Sequence, residues 1–401
     1  MTARPTTGIL TLCGSLALAM PAFAQRPTFT AGNVFSIEPT VRMFGDVHRV
    51  TPTLDAAGDI LELPRRRIGV QGNIRARVDF QVERELASDN PWRDAFADVR
   101  VTRTLQVRAG KFKMPFSVDQ LTSASDRDFV YRSRVGGLLA PGRSIGASVH
   151  GRLAKRLVAY ELGLFTRDGD IARFGENPGA GRTTAGRVTV RPLRAAGVPG
   201  DAGNLEIGVN ATVGIVPEGP YSLRGRLASS DVFFAPVFVS GRRLRRGADV
   251  SWSPGRLSLQ AEFLRVDDER IDQGIRGDTL PPLTAEGWYV ASTWRVAGRR
   301  PKADAEGQRR RGLGRLDVAA RLERLDIHTV ASSQPAQRNP RAAHLLPLSH
   351  RAWTLGTTWH VNPWIRIQAN LMREEMSDPD RSPIPGRGLF WTRVARLQFL
   401  L

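Results

Sequence analysis

The run Arg67-Ile68-Gly69-Val70-Gln71-Gly72-Asn73-Ile74-Arg75-Ala76-Arg77-Val78-Asp79-Phe80-Gln81-Val82-Glu83 decides the fold. Ile68, Val70, Ile74, Ala76, Val78, Phe80 and Val82 share one parity, and Arg67, Gln71, Asn73, Arg75, Arg77, Asp79 and Gln81 share the other. Successive side chains of a β-strand point to opposite faces, so this run presents one oily face and one wet face. It is longer than one membrane crossing by a strand requires, and it reads as two strands joined near Gly72-Asn73. An odd-length loop there keeps the parity, whereas a two-residue hairpin would invert it.

The alternation recurs along the chain. Phe35, Ile37, Val41 and Met43 alternate with Ser36, Glu38, Thr40 and Arg42, and Leu205 to Ile215, Leu316 to Glu323 and Ile365 to Leu371 repeat the pattern. Transmembrane β-barrels write such a sequence, with lipid-facing residues alternating with lumen-facing ones. A soluble β-sandwich also alternates, but the strands here are long and numerous, and their tryptophans are spaced as girdles. Trp288 and Trp294 lie on the apolar parity of one strand, Trp353 and Trp359 on that of another. Six residues of strand separate each pair by roughly 20 Å, suited to the two membrane interfaces. Compact turns at Ser253-Pro254-Gly255 and Asn362-Pro363 suit the periplasmic side; Gly45–Pro64, Arg167–Arg182, Asp267–Thr284 and His328–Ser349 suit outer loops. Two turns expected in the periplasm, Leu193–Asn204 and Gly298–Gly314, are longer than such turns usually are. The crossings count to about sixteen antiparallel strands in an all-β transmembrane barrel, wide enough for an aqueous channel.

Residues 1–24 read as an export signal to be removed: Arg4, an apolar core from Gly8 to Met20, then Ala22-Phe23-Ala24. Residues 25–401 would then form one outer-membrane barrel. The only cysteine, Cys13, falls in the signal, so the exported chain relies on backbone pairing and packing without disulfides. Removing Arg4 leaves a formal charge of about +18, from 57 basic and 39 acidic residues. Such an excess implies an anionic partner; export excludes nucleic acid and leaves anionic solutes, lipid or lipopolysaccharide. Only Lys111, Lys113, Lys155 and Lys302 are lysine, so part of the arginine excess reflects coding bias as an alternative.

Directing apolar residues to lipid sends Arg42, Arg65, Arg67, Arg75, Arg77, Arg100, Arg108, Arg187, Arg243, Arg245, Arg295, Arg321 and Arg366 inward. Guanidinium stays charged and offers a planar fork to oxyanions, and several weak cationic sites in series pass anions along. The competing reading pairs these arginines with wall acids such as Glu38, Asp79, Asp98, Glu161, Asp249, Glu262 and Asp317. Met114–Arg143 is too long for a hairpin. As an inward constriction loop it would bring Lys111, Lys113, Arg127, Arg132, Arg134 and Arg143 to the narrowest point, beside Asp119, Asp126 and Asp128; as an outer cap it would not.

Arg65-Arg66-Arg67-Ile68-Gly69-Val70-Gln71-Gly72, Gly110-Lys111-Phe112-Lys113-Met114-Pro115-Phe116 and Asp128-Phe129-Val130-Tyr131-Arg132-Ser133 resemble signature runs of the phosphate-selective porin O and P family. Arg143 to Gly169, Gly255–Phe263, Gly287–Val296 and Trp353–Ile367 are similar to its other strands, so the likeness covers nearly the whole exported chain. It implies a sixteen-stranded barrel, a homotrimer, and lysines and arginines that guide phosphate, with Lys111, Lys113 and Arg132 the firmest positional matches. The constriction-loop lysine of phosphate-specific members has no counterpart, because Pro115–Gly142 contains no lysine. That departure bears on phosphate specificity as against general anion preference. The terminal Phe399-Leu400-Leu401 also departs from the usual final aromatic.

The expectation is thus a passive porin for inorganic phosphate or other small anions, with no cofactor or metal. A barrel that is structural or non-selective and binds lipopolysaccharide phosphates is the alternative. An enzyme with a rim site would depend on the inward histidines His150 or His360, but the histidines lack metal-ligand spacing.

Overall fold

A computed structural model describes residues 27–32, 34–51, 60–86, 91–169, 181–227, 231–298, 314–329 and 347–401. The expected signal segment and most of the Gly298–Gly314 turn lie outside these residues. The first half contributes β1 (Phe29–Ala31), β2 (Phe35–Thr51), β3 (Ile60–Ile74), β4 (Val78–Glu85), β5 (Trp92–Arg100), β6 (Gln106–Lys113), β7 (Arg143–Leu153), β8 (Val158–Phe165), β9 (Thr183–Val190) and β10 (Glu206–Gly219). The second contributes β11 (Gly225–Arg226), β12 (Val232–Phe234), β13 (Val239–Trp252), β14 (Leu257–Arg270), β15 (Leu280–Ala297), β16 (Arg315–Thr329), β17 (Leu348–His360), β18 (Ile365–Met376) and β19 (Leu389–Leu400).

Each long strand pairs antiparallel with its chain neighbour, β10 pairs with β13, and β19 returns to pair with β2, from Trp391↔Thr51 to Leu400↔Arg42. The ring therefore closes with sixteen strands; β1 is a short flap paired to the start of β2, and β11 and β12 form a separate two-stranded hairpin. Closure leaves no open sheet edge, so every wall strand has partners on both sides, as a spanning sheet must in hydrocarbon.

The outer wall carries Val209, Ile215, Leu162, Leu164, Leu355, Trp353 and Trp359, all exposed. Soluble monomers rarely expose contiguous apolar patches beyond a few hundred Å². An encircling belt of this kind is stable only against lipid. On β17 the exposed Trp353, Leu355 and Trp359 alternate with the buried Ala352, Thr354, Gly356 and Thr358.

Two features differ from the sequence expectation. The β3–β4 turn is Arg75-Ala76-Arg77, bracketed by the pair Ile74↔Val78, and not Gly72-Asn73. Three residues preserve the parity, with Arg75 and Ala76 at positive φ of 50° and 53°. Gly72 is instead a packing glycine: a Cβ there would sit 2.7 Å from the Phe80 ring. Secondly, the two faces exchange polarity toward the outer ends of β14–β17. Leu264, Val266, Leu283, Ala285, Leu325, Ile327 and Leu348 are buried in one apolar cluster, while Arg265, Asp267, Glu286, Arg324, Asp326 and Arg351 take the opposite face. Strands also run further into the expected outer loops, with β2 reaching Thr51 and β3 beginning at Ile60.

Candidate functional site

The connection between β6 and β7 carries two short helices, α1 (Val118–Leu121) and α2 (Arg134–Leu138). Serines cap both: Ser117 accepts from Gln120 N at 3.1 Å and Ser133 from Gly136 N at 2.9 Å, satisfying first-turn donors that would otherwise lack partners. Asp119 ties the helices together by accepting both the Ser133 N–H and hydroxyl at 2.9 Å. Position 136 must be glycine, because a Cβ would lie 2.5 Å from the Asp119 carboxylate.

Although rooted on β6 and β7, this connection bonds to strands on the far arc of the ring. Glu262 of β14 accepts from the Ser117 hydroxyl (3.0 Å) and Val118 N (2.8 Å). Glu323 of β16 accepts from Arg134 N at 2.7 Å, and Glu374 of β18 pairs with the Arg134 guanidinium at 2.9 Å. Asn370 accepts from Val130 N at 2.7 Å. Arg245, Arg321, Arg366 and Arg396 donate to the carbonyls of Leu139, Tyr131, Ser125 and Val130. Glycines make room for the approach: a Cβ at Gly287 would meet Val135 at 2.9 Å, and one at Gly356 would meet Asn370 at 2.5 Å and the Phe129 ring at 3.3 Å.

Most of the expected cationic residues are partnered within the wall. Arg42 and Arg67 share Glu83, and Arg67 also holds Glu85 at 2.7 Å. Arg108 pairs with Asp98, Arg143 with Asp94 (both 2.7 Å), and Arg187 with Asp249 at 2.6 Å. Arg243 and Arg245 both hold Asp168 of the β8–β9 connection, Arg243 adding Asp268. Arg295 sits opposite Asp317 in register, and Arg100 makes an exposed pair with Asp79. Burial raises the Asp168 carboxyl, but Arg245 and Arg243 outweigh it and hold the group down to about 2. His150 and His360 belong to the same wall network, through Asp98 and Asp317.

Three placements correct the sequence reading. Arg75 and Arg77 lie exposed in the β3–β4 turn and not on a strand. Lys111 pairs across strands with Ala95 and with Ile145, which is 58% exposed on the outer wall. Paired residues share a face, so Lys111 faces outward while buried Phe112 takes the inner face with Phe96 and Phe165. Lys113, at the strand end, turns to donate to the carbonyls of Leu121 and Thr122 at 2.9 and 3.3 Å.

Around the connection the cations gather closely, in part neutralised, since Arg396 holds Asp46 at 2.5 Å as Arg143 holds Asp94. Arg127 is pushed well below the usual guanidinium range by burial, then by Arg132 and Arg396, against a partial offset from Asp119. Arg132 donates to the Thr122 carbonyl at 2.9 Å and stands 3.6 Å from Asp119; burial lowers it, and Arg143 adds to the effect. Arg65 lies within electrostatic reach of Arg67, Arg127 and Arg396, and Lys113 within reach of Arg132, Arg143 and Arg127. Phe44 is flanked by Arg65 at 4.8 Å and Arg396 at 5.1 Å. The sequence reading omitted Arg396, whose signal was its polar parity between Ala395 and Leu397.

Comparison with known proteins fits this architecture. The profile of the family "phosphate-selective porin O and P" matches residues 40–383. Among solved structures, the chain is similar to the trimer form of OmpT from Vibrio cholerae, with TM-score 0.58, 12% identity, and coverage of 92% of this chain and 100% of that one. It is similar to an anion-selective porin from Comamonas acidovorans, with TM-score 0.57, 12% identity and coverage of 92% and 100%. OmpF of Salmonella typhi gives TM-score 0.56, 10% identity and coverage of 94% and 100%. Comparison with curated proteins finds no match. Family and fold are those of an outer-membrane channel rather than an enzyme. With its closed sixteen-stranded ring and a match over most of its length, the chain belongs to the phosphate-selective porin O and P family.

Proposed function

We propose that this porin passes small anions, phosphate or related oxyanions, passively, and that the segment 114–143 lies inside the barrel as its constriction. The observation that carries the reading is the reach of that segment. Its roots on β6 and β7 stand across the ring from β16 and β17, and its carbonyls meet Arg366 and Gln368 near the inner ends of their strand. A connection with such partners crosses the lumen. A cap over the mouth would contact the outer rim alone.

The crossing brings Arg127 and Arg132 toward Lys113, Arg65, Arg143 and Arg396. Like charges crowded in a low-dielectric site are costly by themselves, and a transient anion relieves that cost. The paired arginines (Arg42, Arg67, Arg108, Arg187, Arg243, Arg245 and Arg321 among them) keep the wall polar and hold the loop in place. Without a loop lysine, selectivity rests on guanidinium forks, which favour oxyanions generally.

Assembly as a homotrimer is part of this proposal. Strands β4–β9 are eight to eleven residues long against twelve to eighteen for β10 and β13–β19. Their outer faces align Ala97, Ala109 and Ala147 in register, a flat low wall against which copies can pack. Export with removal of residues 1–24 completes the proposal. Block of single-channel chloride current by phosphate, compared with sulfate, tests the function. Concentration-dependent block by the oxyanions supports it, and current indifferent to both contradicts it.

A further inference from the structure

The exchanged polarity at the outer ends of the strands leaves a band of arginines on the lipid-facing wall. Arg246 of β13 pairs in register with Arg265 of β14; Arg324 of β16 pairs with Arg351 of β17; Arg393 of β19 pairs with Arg49 of β2. Arg373 of β18 stands two residues from Glu375, the partner of Arg351. From β14 to β2 the arginine position slips two residues toward the inner end at three steps, and is level at the others. Tilted barrel strands require such slippage to keep side chains at one height, so the arginines form a ring segment parallel to the membrane.

Like charges directly opposite on one face are destabilising, and the band handles its pairs differently. Between Arg246 and Arg265 stands Asp267, at 2.8 and 3.0 Å. Arg324 takes Asp326 at 2.7 Å, but no carboxylate among the described residues stands within ion-pair distance of Arg351 or Arg373. Beside that gap, a groove of about 460 Å³ opens on the outer wall, lined by Phe263, Trp288, Leu322 and Trp353, with Arg324 and Arg351 and the carboxylates Glu286, Glu323 and Asp326, which are taken by Arg265, Arg321 and Arg324. Apolar groove and unmatched guanidinium together fit a molecule with an acyl chain and a phosphate.

We infer that this band is a binding site for the phosphates of lipopolysaccharide in the outer leaflet, one phosphate lying between Arg324, Arg351 and Arg373 with an acyl chain in the Trp288–Trp353 groove. Guanidinium binds phosphate through paired N–H donors, and because Glu375, opposite Arg351 in register, makes no ion pair with it, the lipid phosphate supplies that guanidinium's anionic partner. The site rests on the outer-membrane placement but not on anion passage through the lumen, whose residues are different ones. A second copy of the chain is the less suited occupant, because its equivalent face is equally basic.

The test uses the intact purified porin in detergent, wild type and the Arg324→Gln/Arg351→Gln double variant, titrated with lipopolysaccharide and with the same lipid after enzymatic dephosphorylation. Binding read by native mass spectrometry is expected to weaken about tenfold in the double variant, and by a similar factor for wild type with dephosphorylated lipid. Reversal potential in planar bilayers is expected to stay unchanged, which separates failure here from failure of the channel reading. Equal binding by both proteins, or indifference to phosphate removal, would overturn the inference. So would displacement of the lipid by millimolar inorganic phosphate, which would make the band a free-anion site. If the double variant lacks the β-barrel circular-dichroism spectrum, Arg351→Lys, which keeps the charge without the fork, is expected to bind the lipid more weakly than wild type; equal binding would also overturn it.

Discussion

Replacing Arg127 by glutamine removes one guanidinium from the crowd that includes Arg132, Arg396 and Arg65. Its Nε is buried without a hydrogen-bond partner, and no carboxylate among the described residues stands within ion-pair distance of its guanidinium, so the substitution breaks no ion pair there. A unit charge about 5 Å from a passing ion in a water-like medium contributes roughly 0.8 kcal/mol. Removing it disfavours an anion and favours a cation by that amount, a difference of roughly 1.7 kcal/mol before screening. With a Debye length of about 10 Å at 0.1 M salt, roughly 1 kcal/mol survives, or about fivefold in the anion-to-cation permeability ratio. At 1 M the Debye length is about 3 Å and the effect falls below about twofold. Reversal potentials of Arg127→Gln in planar bilayers at both salt levels measure this, and the melting temperature measured alongside is expected to be unchanged or raised. An unaltered selectivity at low salt, or a variant that melts earlier, refutes the reasoning, because either result makes Arg127 a structural residue.

The opposite behaviour is expected of Arg134→Met. It leaves Glu374 buried with only His350 and Thr392 as partners, a loss of about 3–5 kcal/mol typical of breaking a buried pair, read as a noisier channel and faster proteolysis within 114–143. Gly356→Val drives a side chain into Asn370 and Phe129, loosening the bond to Val130 N; single-channel conductance is expected to rise, and an unchanged value would contradict the packing argument. For Asp168 the folded carboxyl is held down to about 2, so its pairs with Arg243 and Arg245 stabilise fully above the unfolded value near 4 and fade as pH falls toward 2. The melting temperature of wild type is therefore expected to fall across that window, and that of Asp168→Asn to fall less.

The closed barrel was legible because alternation fixes which residues share a face. It does not say which face meets lipid. Along the inner parts of the strands hydrophobicity answers that question, and Trp353, Leu355 and Trp359 lie outside as expected. At the outer ends of β14–β17 the pattern stays equally regular while its meaning reverses. There Leu264, Leu283 and Leu325 pack against Val135, Leu139, Phe233 and Phe234 from connections, and no local signal reports that such partners exist. The turn at Arg75-Ala76-Arg77 was missed because two non-glycine residues adopt positive φ there, while the glycine that drew attention makes room for a ring. Lys111 was misplaced because the Gly110–Phe116 motif was read as a cationic unit, although its two lysines flank an inward phenylalanine. Pairing of the wall arginines depends on register between strands, and on Asp168 of another connection, neither of which the linear pattern contains.

The most direct test of the central claim is the zero-current potential of the wild-type porin, reconstituted in a planar bilayer under a tenfold potassium chloride gradient at low total salt. The account predicts a potential whose sign reports chloride as the more permeant ion, shrinking as salt is raised. A potential of zero, or one of the sign set by potassium, would contradict it.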